Sequence, residues 1–258
     1  MNWKNMMNKK CRTEYSVVNM TVAFIAQALA ILMGFFTRVI FTRTLSESYV
    51  GINGLFTDIL NILSLSELGV GTAITYALYA PIAANDIKKQ QILMRMFRTF
   101  YRITAFFVLS AGLCLIPFLD ILMKDRPDVD HLIIIYLLYL LNSFASYLLI
   151  YKKTLVDAHQ MNYITVMYHN GFLVLQDICQ IIVLLLTRNF ILFLIVAVVC
   201  TMSGNICMSR KADRLFPYLK EPCKERLLQE ERRDIFKNVK AMLMHKIGNV
   251  VVNNTDNL

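Results

Sequence analysis

Acidic side chains lie inside segments of this chain that are otherwise apolar. Asp58 and Glu67 share one such segment, Asp177 lies in a second, and Asp256 follows the last apolar run. A charge at mid-bilayer is costly, so an ionisable residue in a membrane helix is a functional candidate by default. Carboxylates here predict either a site for a coupling proton or Na⁺, or hydrogen bonds that hold helices together. The residue types alone leave both roles open.

The elements that position these acids are predicted to be transmembrane helices. The chain has 258 residues, of which 57% are hydrophobic and 17% charged, whereas an average soluble domain is roughly 45–50% apolar and about 25% charged. The apolar residues form runs of about 20, long enough to cross a hydrocarbon core ~30 Å thick. The sequence therefore predicts an all-α, polytopic bundle of transmembrane helices in contact with the lipid bilayer.

Six spans and the start of a seventh are expected. The spans are 16–40, 49–80, 99–122, 131–151, 162–187 and 190–209. Around this bundle (16–209) lie a basic tail (1–15), a basic amphipathic linker (210–245) that either rests on the inner leaflet or is solvated, and the start of the seventh helix (246–258). About twelve residues at ~1.5 Å each are too few to span a membrane, so the chain is expected to be the N-terminal half of a longer protein.

The distribution of basic residues predicts the orientation. All but five of the 27 lysines and arginines fall in the tail and in alternate connections; the five are Arg38, Arg43, Lys124, Arg126 and Arg188. Because cytoplasmic loops of membrane proteins are enriched in Lys and Arg, the N-terminus is expected in the cytoplasm. The net charge of +9 is then a consequence of topology, and no nucleic-acid partner is expected.

Motifs for covalent or metal chemistry are not found. The six cysteines form no CxxC pair, and the four histidines form no HExxH motif. Disulfides, metal sites and cofactors are therefore not predicted. A membrane-embedded glycan enzyme would need a large extramembrane catalytic loop, which the pattern does not contain. The chain is expected not to be an enzyme.

Polar side chains in two spans follow lines along one helix face. At 100° per residue, six positions of the second span fall within about 40° of one line: Asn53, Thr57, Ser64, Glu67, Gly71 and Thr75. Asp58 lies about 140° from Asn53 by the same arithmetic, so it needs a different partner. In the fifth span Tyr163, Asn170 and Asp177 recur every seven residues, drifting by ~20° per step. Both lines are expected to face the bundle interior or a water-filled cavity.

Depth in the membrane separates these candidates further. Counting ~1.5 Å per residue places Asp58, Asp177 and Asp256 near the midplane and Glu67 nearer the cytoplasmic side. Arg38 lies at the outer end of the first span, where it can meet an anionic substrate or snorkel to the interface. Glu67 and Asp177 are the preferred functional candidates.

Small and aromatic residues in other spans allow two interpretations. Gly112 and Gly171 predict close helix packing, the usual role of small residues in membrane helices. Four tyrosines of the fourth span could stack on sugar rings, or could form an interfacial belt and core packing: Tyr136, Tyr139, Tyr147 and Tyr151.

Three segments resemble a known family of membrane transporters. The longest is similar to the second helix and following loop of bacterial polysaccharide transporters, the oligosaccharide (O-antigen-type) flippases of the multidrug/oligosaccharidyl-lipid/polysaccharide exporter superfamily; it reads GINGLFTDILNILSLSELGVGTAITYALYAPIAANDIKKQQILMRMFRTFYRI. The entry into that helix resembles TRTLSESYVGINGL, with Ser46 where the family commonly has glycine. The family's linker into helix seven resembles IFKNVKAMLMHKIGNVVVNNTDNL. The similarity is strongest over 41–102 and 235–257.

The resemblance implies a fold, a substrate and partners. The fold would be two six-helix bundles, and the substrate a polyprenyl-diphosphate-linked oligosaccharide, moved by alternating access across the bacterial cytoplasmic membrane for surface polysaccharides such as the O-antigen of lipopolysaccharide. Other surface-polysaccharide assembly proteins would be partners. A diphosphate calls for cationic or amide donors, so Arg38 or residues of the expected second half would meet it. The alternative is a cation-coupled drug or metabolite exporter of the same superfamily, which midplane carboxylates would suit.

Overall fold

The chain is helical throughout the part that the structure describes. This computed structural model describes residues 12–64, 70–119 and 129–221, with the single positions 233, 237 and 244. Eight α-helices lie in these ranges: α1 Arg12–Thr44, α2 Glu47–Ser64, α3 Val70–Ala83, α4 Ile87–Leu115, α5 Leu132–Tyr147, α6 Ile150–Ala158, α7 Asn162–Thr187 and α8 Phe190–Leu215. Short 3₁₀ helices follow α4 at Ile116–Phe118 and α8 at Pro217–Lys220. The described ranges contain no strand, which confirms the all-α class.

Five helical segments of the described chain are long and apolar enough to cross a membrane. They are Met20–Thr44, Ile87–Phe118, Leu132–Ala158, Asn162–Thr187 and Phe190–Leu215. These segments correspond to five of the six expected spans and indicate a multi-pass membrane protein. The expected span at 49–80 corresponds to α2 and α3, which flank 65–69, outside the described residues. The expected seventh helix also lies outside them.

The helices pack into one bundle. α1 lies along α7, α8 packs on α7 and α5, α4 packs on α5, and α2 contacts α4 and α5. An aromatic cluster joins α1, α2 and α8, because the ring of Phe190 lies 5.6 Å from that of Phe41 and 5.1 Å from that of Tyr49. Large apolar side chains such as Phe24, Phe35 and Phe106 are exposed, as expected for surfaces that face lipid.

Close packing between α4 and α5 depends on Gly112. A Cβ atom at this position would lie 2.3 Å from Leu140 Cδ1, and the Tyr136 hydroxyl donates a hydrogen bond to the Gly112 carbonyl at 2.8 Å. The packing role predicted for Gly112 is therefore confirmed. The same prediction for Gly171 is wrong, because this residue is exposed and no atom lies within 4 Å of a Cβ built there.

The fourth span is broken near the end of α5. Leu149 adopts a left-handed backbone conformation with φ of 68°, which is unusual for a residue with a bulky side chain. At the end of α5 the Ala145 carbonyl accepts a hydrogen bond from the Leu148 N–H at 3.2 Å. Asn205 of α8 donates its side-chain amide to the carbonyls of Ala145 (2.8 Å) and Ser146 (3.4 Å). A backbone break at membrane depth needs such partners, because hydrocarbon supplies none.

Candidate functional site

One face of α2 is polar and exposed. Five of its residues recur with helical spacing and are Gly51, Gly54, Thr57, Asp58 and Asn61; Ile62, 66% exposed, follows them at the end of this face. The opposite face is apolar and buried, formed by Ile52, Phe56, Ile59 and Leu60. A carboxylate and its polar neighbours are costly against lipid tails. We name these five exposed residues the α2 polar face; its chemistry suits a water-filled cavity or another protein surface.

The polar residues that were predicted to share one line on the second span have different surroundings in the structure. Asn53 is half-buried and accepts a hydrogen bond from the Tyr139 hydroxyl of α5. Thr57 is exposed and donates to the Asn53 carbonyl at 2.6 Å. Ser64 is the last residue of α2, and Glu67 lies outside the described residues. Asp58, which the angle arithmetic separated from this line, shares the exposed face with Thr57.

Asp177 joins two helices. Its carboxylate accepts a hydrogen bond from the Thr37 hydroxyl of α1 at 3.1 Å, and that hydroxyl also lies 3.0 Å from the Met33 carbonyl. Thr37 is buried and Asp177 half-buried. Asn170, two turns earlier on α7, is buried as well. This arrangement matches the interhelical role that the sequence left open for Asp177.

The one cationic residue among the predicted site residues lies near the end of α1. Arg38 is exposed, and its guanidinium lies 5.9 Å from the centre of the Phe41 ring, a cation–π distance. Asp256 lies outside the described residues. Of the residues proposed from sequence, the structure thus places Asp58 on the α2 polar face, and Asn53 and Asp177 in contacts between helices.

Two clefts flank the break between α5 and α6, and Asn205 lines both. The first, here named the lysine cleft, has a volume of about 180 Å³ and includes Lys153, His169 and Gln176. The second, named the arginine cleft, has a volume of about 280 Å³ and includes Arg98 and Arg102 of α4. Cationic and amide donors, which the resemblance led us to expect at Arg38 or in a second half of the protein, also line these two clefts.

Three tyrosines line the arginine cleft, and the sequence indicated only some of its residues. Tyr147 and Tyr151 were candidates for sugar stacking, and Tyr101 of α4 joins them. In the sequence, Arg98 and Arg102 were counted only among the basic residues that predict the orientation of the chain in the membrane. Their spacing of four residues was the available signal, because it places both on one side of a helix.

A short segment after α8 is bonded to the start of α4. The Tyr218 hydroxyl donates to Gln90 Oε1 at 2.6 Å, and Gln91 Nε2 donates to the Tyr218 carbonyl at 2.6 Å. The His159 ring lies 4.4 Å from that of Phe216. Burial raises the pKa of Tyr218 and lowers the pKa of His159, while a hydrogen bond to the Leu155 backbone opposes the shift at His159.

Within the described ranges, no group of three or more His, Cys, Asp or Glu side chains is placed to hold a metal ion. No family model matches the chain, and no curated protein or solved structure is significantly similar to it.

Proposed function

We propose that this chain is part of a membrane transporter that flips a polyprenyl-diphosphate-linked oligosaccharide to the outer leaflet of the bacterial cytoplasmic membrane by alternating access. In this proposal the N-terminus is cytoplasmic, α2 and α3 together form one of six spans, and a seventh helix begins near residue 246. The transporter serves surface polysaccharide assembly and performs no covalent chemistry.

The α2 polar face is the observation that supports this proposal most directly. Five exposed residues with a carboxylate among them line a helix whose other face is packed into the bundle. Lipid is a poor environment for such a face, whereas a hydrated pathway for a glycan provides water and hydroxyl groups for the same side chains. The resemblance of residues 41–102 to oligosaccharide flippases points to the same helix.

The experiment replaces Asp58 in cells that depend on the protein for glycan export. Asp58→Asn is expected to abolish export and to cause lipid-linked oligosaccharide to accumulate on the inner leaflet, while the amount of protein in the membrane stays unchanged. Asp130→Asn is the matched control, since it removes a carboxylate that is exposed in the turn before α5. Wild-type export by Asp58→Asn would contradict the assignment of this face to the pathway.

A cation-coupled drug or metabolite exporter is the second candidate. The carboxylate of Asp58 on an exposed polar face favours it, because a carboxylate can carry a proton or bind Na⁺. The two functions differ in what accumulates when Asp58→Asn is expressed. A flippase variant accumulates lipid-linked oligosaccharide, whereas an exporter variant leaves the glycan unchanged and retains small cationic compounds in the cell.

A further inference from the structure

Two arginines of α4 lie on one wall of the arginine cleft. Arg98 and Arg102 are one helical turn apart and exposed. Asp213 of α8, an acid that interacts with Tyr151 of the cleft, is bonded to Lys152 at 2.7 Å. Within the described ranges, neither arginine forms a salt bridge with an acidic side chain. Two adjacent guanidinium groups suit an anion with several oxygen atoms, and phosphate is the closest geometric match.

The cleft lies at the edge of the apolar part of α4. No charged residue follows between Arg102 and Phe118, a length of about 24 Å at ~1.5 Å per residue. Next to Arg102, the side chains of Ile103 and Phe106 are 63% and 62% exposed. Arg102 thus lies where a bilayer changes from acyl chains to phosphate headgroups.

The other walls of the cleft suit an amphipathic ligand. Met202 and Ile206 of α8 provide an apolar side. Leu149 and Tyr151 also line the cleft, so the first turn of α6 faces it. The first backbone N–H groups of a helix have no acceptor within the helix and favour anions. Asn205, which also lines the cleft, is hydrogen-bonded to the end of α5, a few residues before this turn.

From this arrangement we propose that the arginine cleft binds the phosphate headgroup of an anionic membrane lipid. Arg98 and Arg102 donate to the phosphate oxygens, and Met202 and Ile206 contact the first carbons of the apolar tail. The phosphate can belong to an anionic phospholipid or to a polyprenyl diphosphate, since both present the same oxygens at this depth. The proposal stands on the cleft alone and is independent of what the protein transports.

The test compares two pairs of arginines with the same spacing. Arg98→Gln/Arg102→Gln removes the pair in the cleft, and Arg210→Gln/Arg214→Gln removes two exposed arginines of α8 that do not line it. Each full-length variant is placed in bilayers of phosphatidylcholine alone, of phosphatidylcholine with phosphatidylglycerol, and of phosphatidylcholine with a polyprenyl diphosphate. Lipid retained after extraction is counted by native mass spectrometry. Thermal unfolding in phosphatidylcholine alone verifies that both variants fold.

The wild type and the Arg210/Arg214 variant are expected to retain phosphatidylglycerol or the polyprenyl diphosphate. The Arg98/Arg102 variant is expected to bind that lipid roughly tenfold or more weakly, because hydrogen bonds to charged groups are among the strongest in proteins. Whichever anionic bilayer shows this loss identifies the source of the phosphate. Equal weakening in both variants would mean that only general surface charge attracts the lipid, and no weakening in either would mean that the cleft is not a lipid site. Both of these results overturn the proposal.

Discussion

Two aspartates of this chain lie in apolar helices but in opposite surroundings. Asp58 is exposed on the α2 polar face, beside other polar residues. Asp177 is half-buried between α7 and α1, where it accepts a hydrogen bond from Thr37. A carboxylate in a membrane helix can serve a pathway or join helices, and its neighbours decide which. The surroundings of Asp58 support the pathway role proposed for it, whereas those of Asp177 place it in the packing of α7 on α1.

Two glycines repeat the same contrast. A Cβ atom at Gly54, on the α2 polar face, would meet no atom within 4 Å, whereas one at Gly112 would lie 2.3 Å from Leu140 Cδ1. The α2 polar face thus has open space around its glycine, whereas the contact between α4 and α5 has none. This difference does not depend on charge. Substitutions in the two regions should accordingly affect different measurements.

The largest expected difference is in access to water. Gly54→Cys, in a chain whose six native cysteines are replaced, should react readily with a membrane-impermeant maleimide, because the thiolate that reacts forms in water. Phe35→Cys is the matched control: residue 35 is also exposed, at 63% for the native side chain, but on an apolar surface. Mass spectrometry of the labelled protein measures both rates. Equal labelling of the two positions would contradict a hydrated α2 polar face.

The next largest effect is on stability. Gly112→Ala should lower the free energy of unfolding by about 1–3 kcal/mol, since an added methyl group must displace Leu140 in a tightly packed contact. Gly54→Ala should leave it unchanged or raise it by up to about 1 kcal/mol, because no atom lies near the added methyl group and alanine favours a helix more than glycine does. Unfolding in detergent micelles followed by circular dichroism measures both. A larger loss for Gly54→Ala than for Gly112→Ala would reverse the comparison of the two regions.

The long apolar helices of this fold could be predicted from the sequence, but the break in the fourth span could not. Spans at 162–187 and 190–209 were expected, and the structure has helices at Asn162–Thr187 and Phe190–Leu215, because length and apolar composition are local properties. Leu148 and Leu149 carry no local signal for a break. The partner that stabilises it, Asn205, is more than fifty residues away in the chain.

The candidate site was predictable only in part, for a related reason. Helical angles group residues on one element, and they placed Asn53 with Thr57. Which side of α2 is covered depends on α4 and α5, and the hydrogen bond from Tyr139 to Asn53 joins residues distant in sequence. The intramembrane position of Asp177 was visible in the sequence, whereas its partner Thr37 was not.

A smaller effect is expected from the hydrogen bond of Asp177. In a double-mutant cycle of Thr37→Val and Asp177→Ala, each of which removes one partner, the coupling free energy should be about 0.6 kcal/mol and at most about 1.7 kcal/mol, the range found for hydrogen bonds between membrane helices. Glycan export by Asp177→Asn should remain near that of the wild type, unlike export by Asp58→Asn. If Asp177→Asn lost export while its stability stayed unchanged, Asp177 would belong to the proposed transport pathway and not only to the packing of α7 on α1.

The smallest expected effect is on the pH dependence of the free energy of unfolding. It comes from a buried histidine and not from the α2 polar face. Burial against Phe216 lowers the pKa of His159 in the folded protein. In the unfolded chain the imidazole has its ordinary pKa of about 6.5. As the pH falls, the unfolded chain therefore takes up this proton at a higher pH than the folded protein does. The free energy of unfolding should therefore be higher at pH 7.5 than at pH 5, and part of the difference should disappear in His159→Gln. Chemical unfolding at the two pH values measures it. An unchanged difference in His159→Gln would show that the imidazole is equally protonated in both states and that its packing on Phe216 leaves it in contact with water.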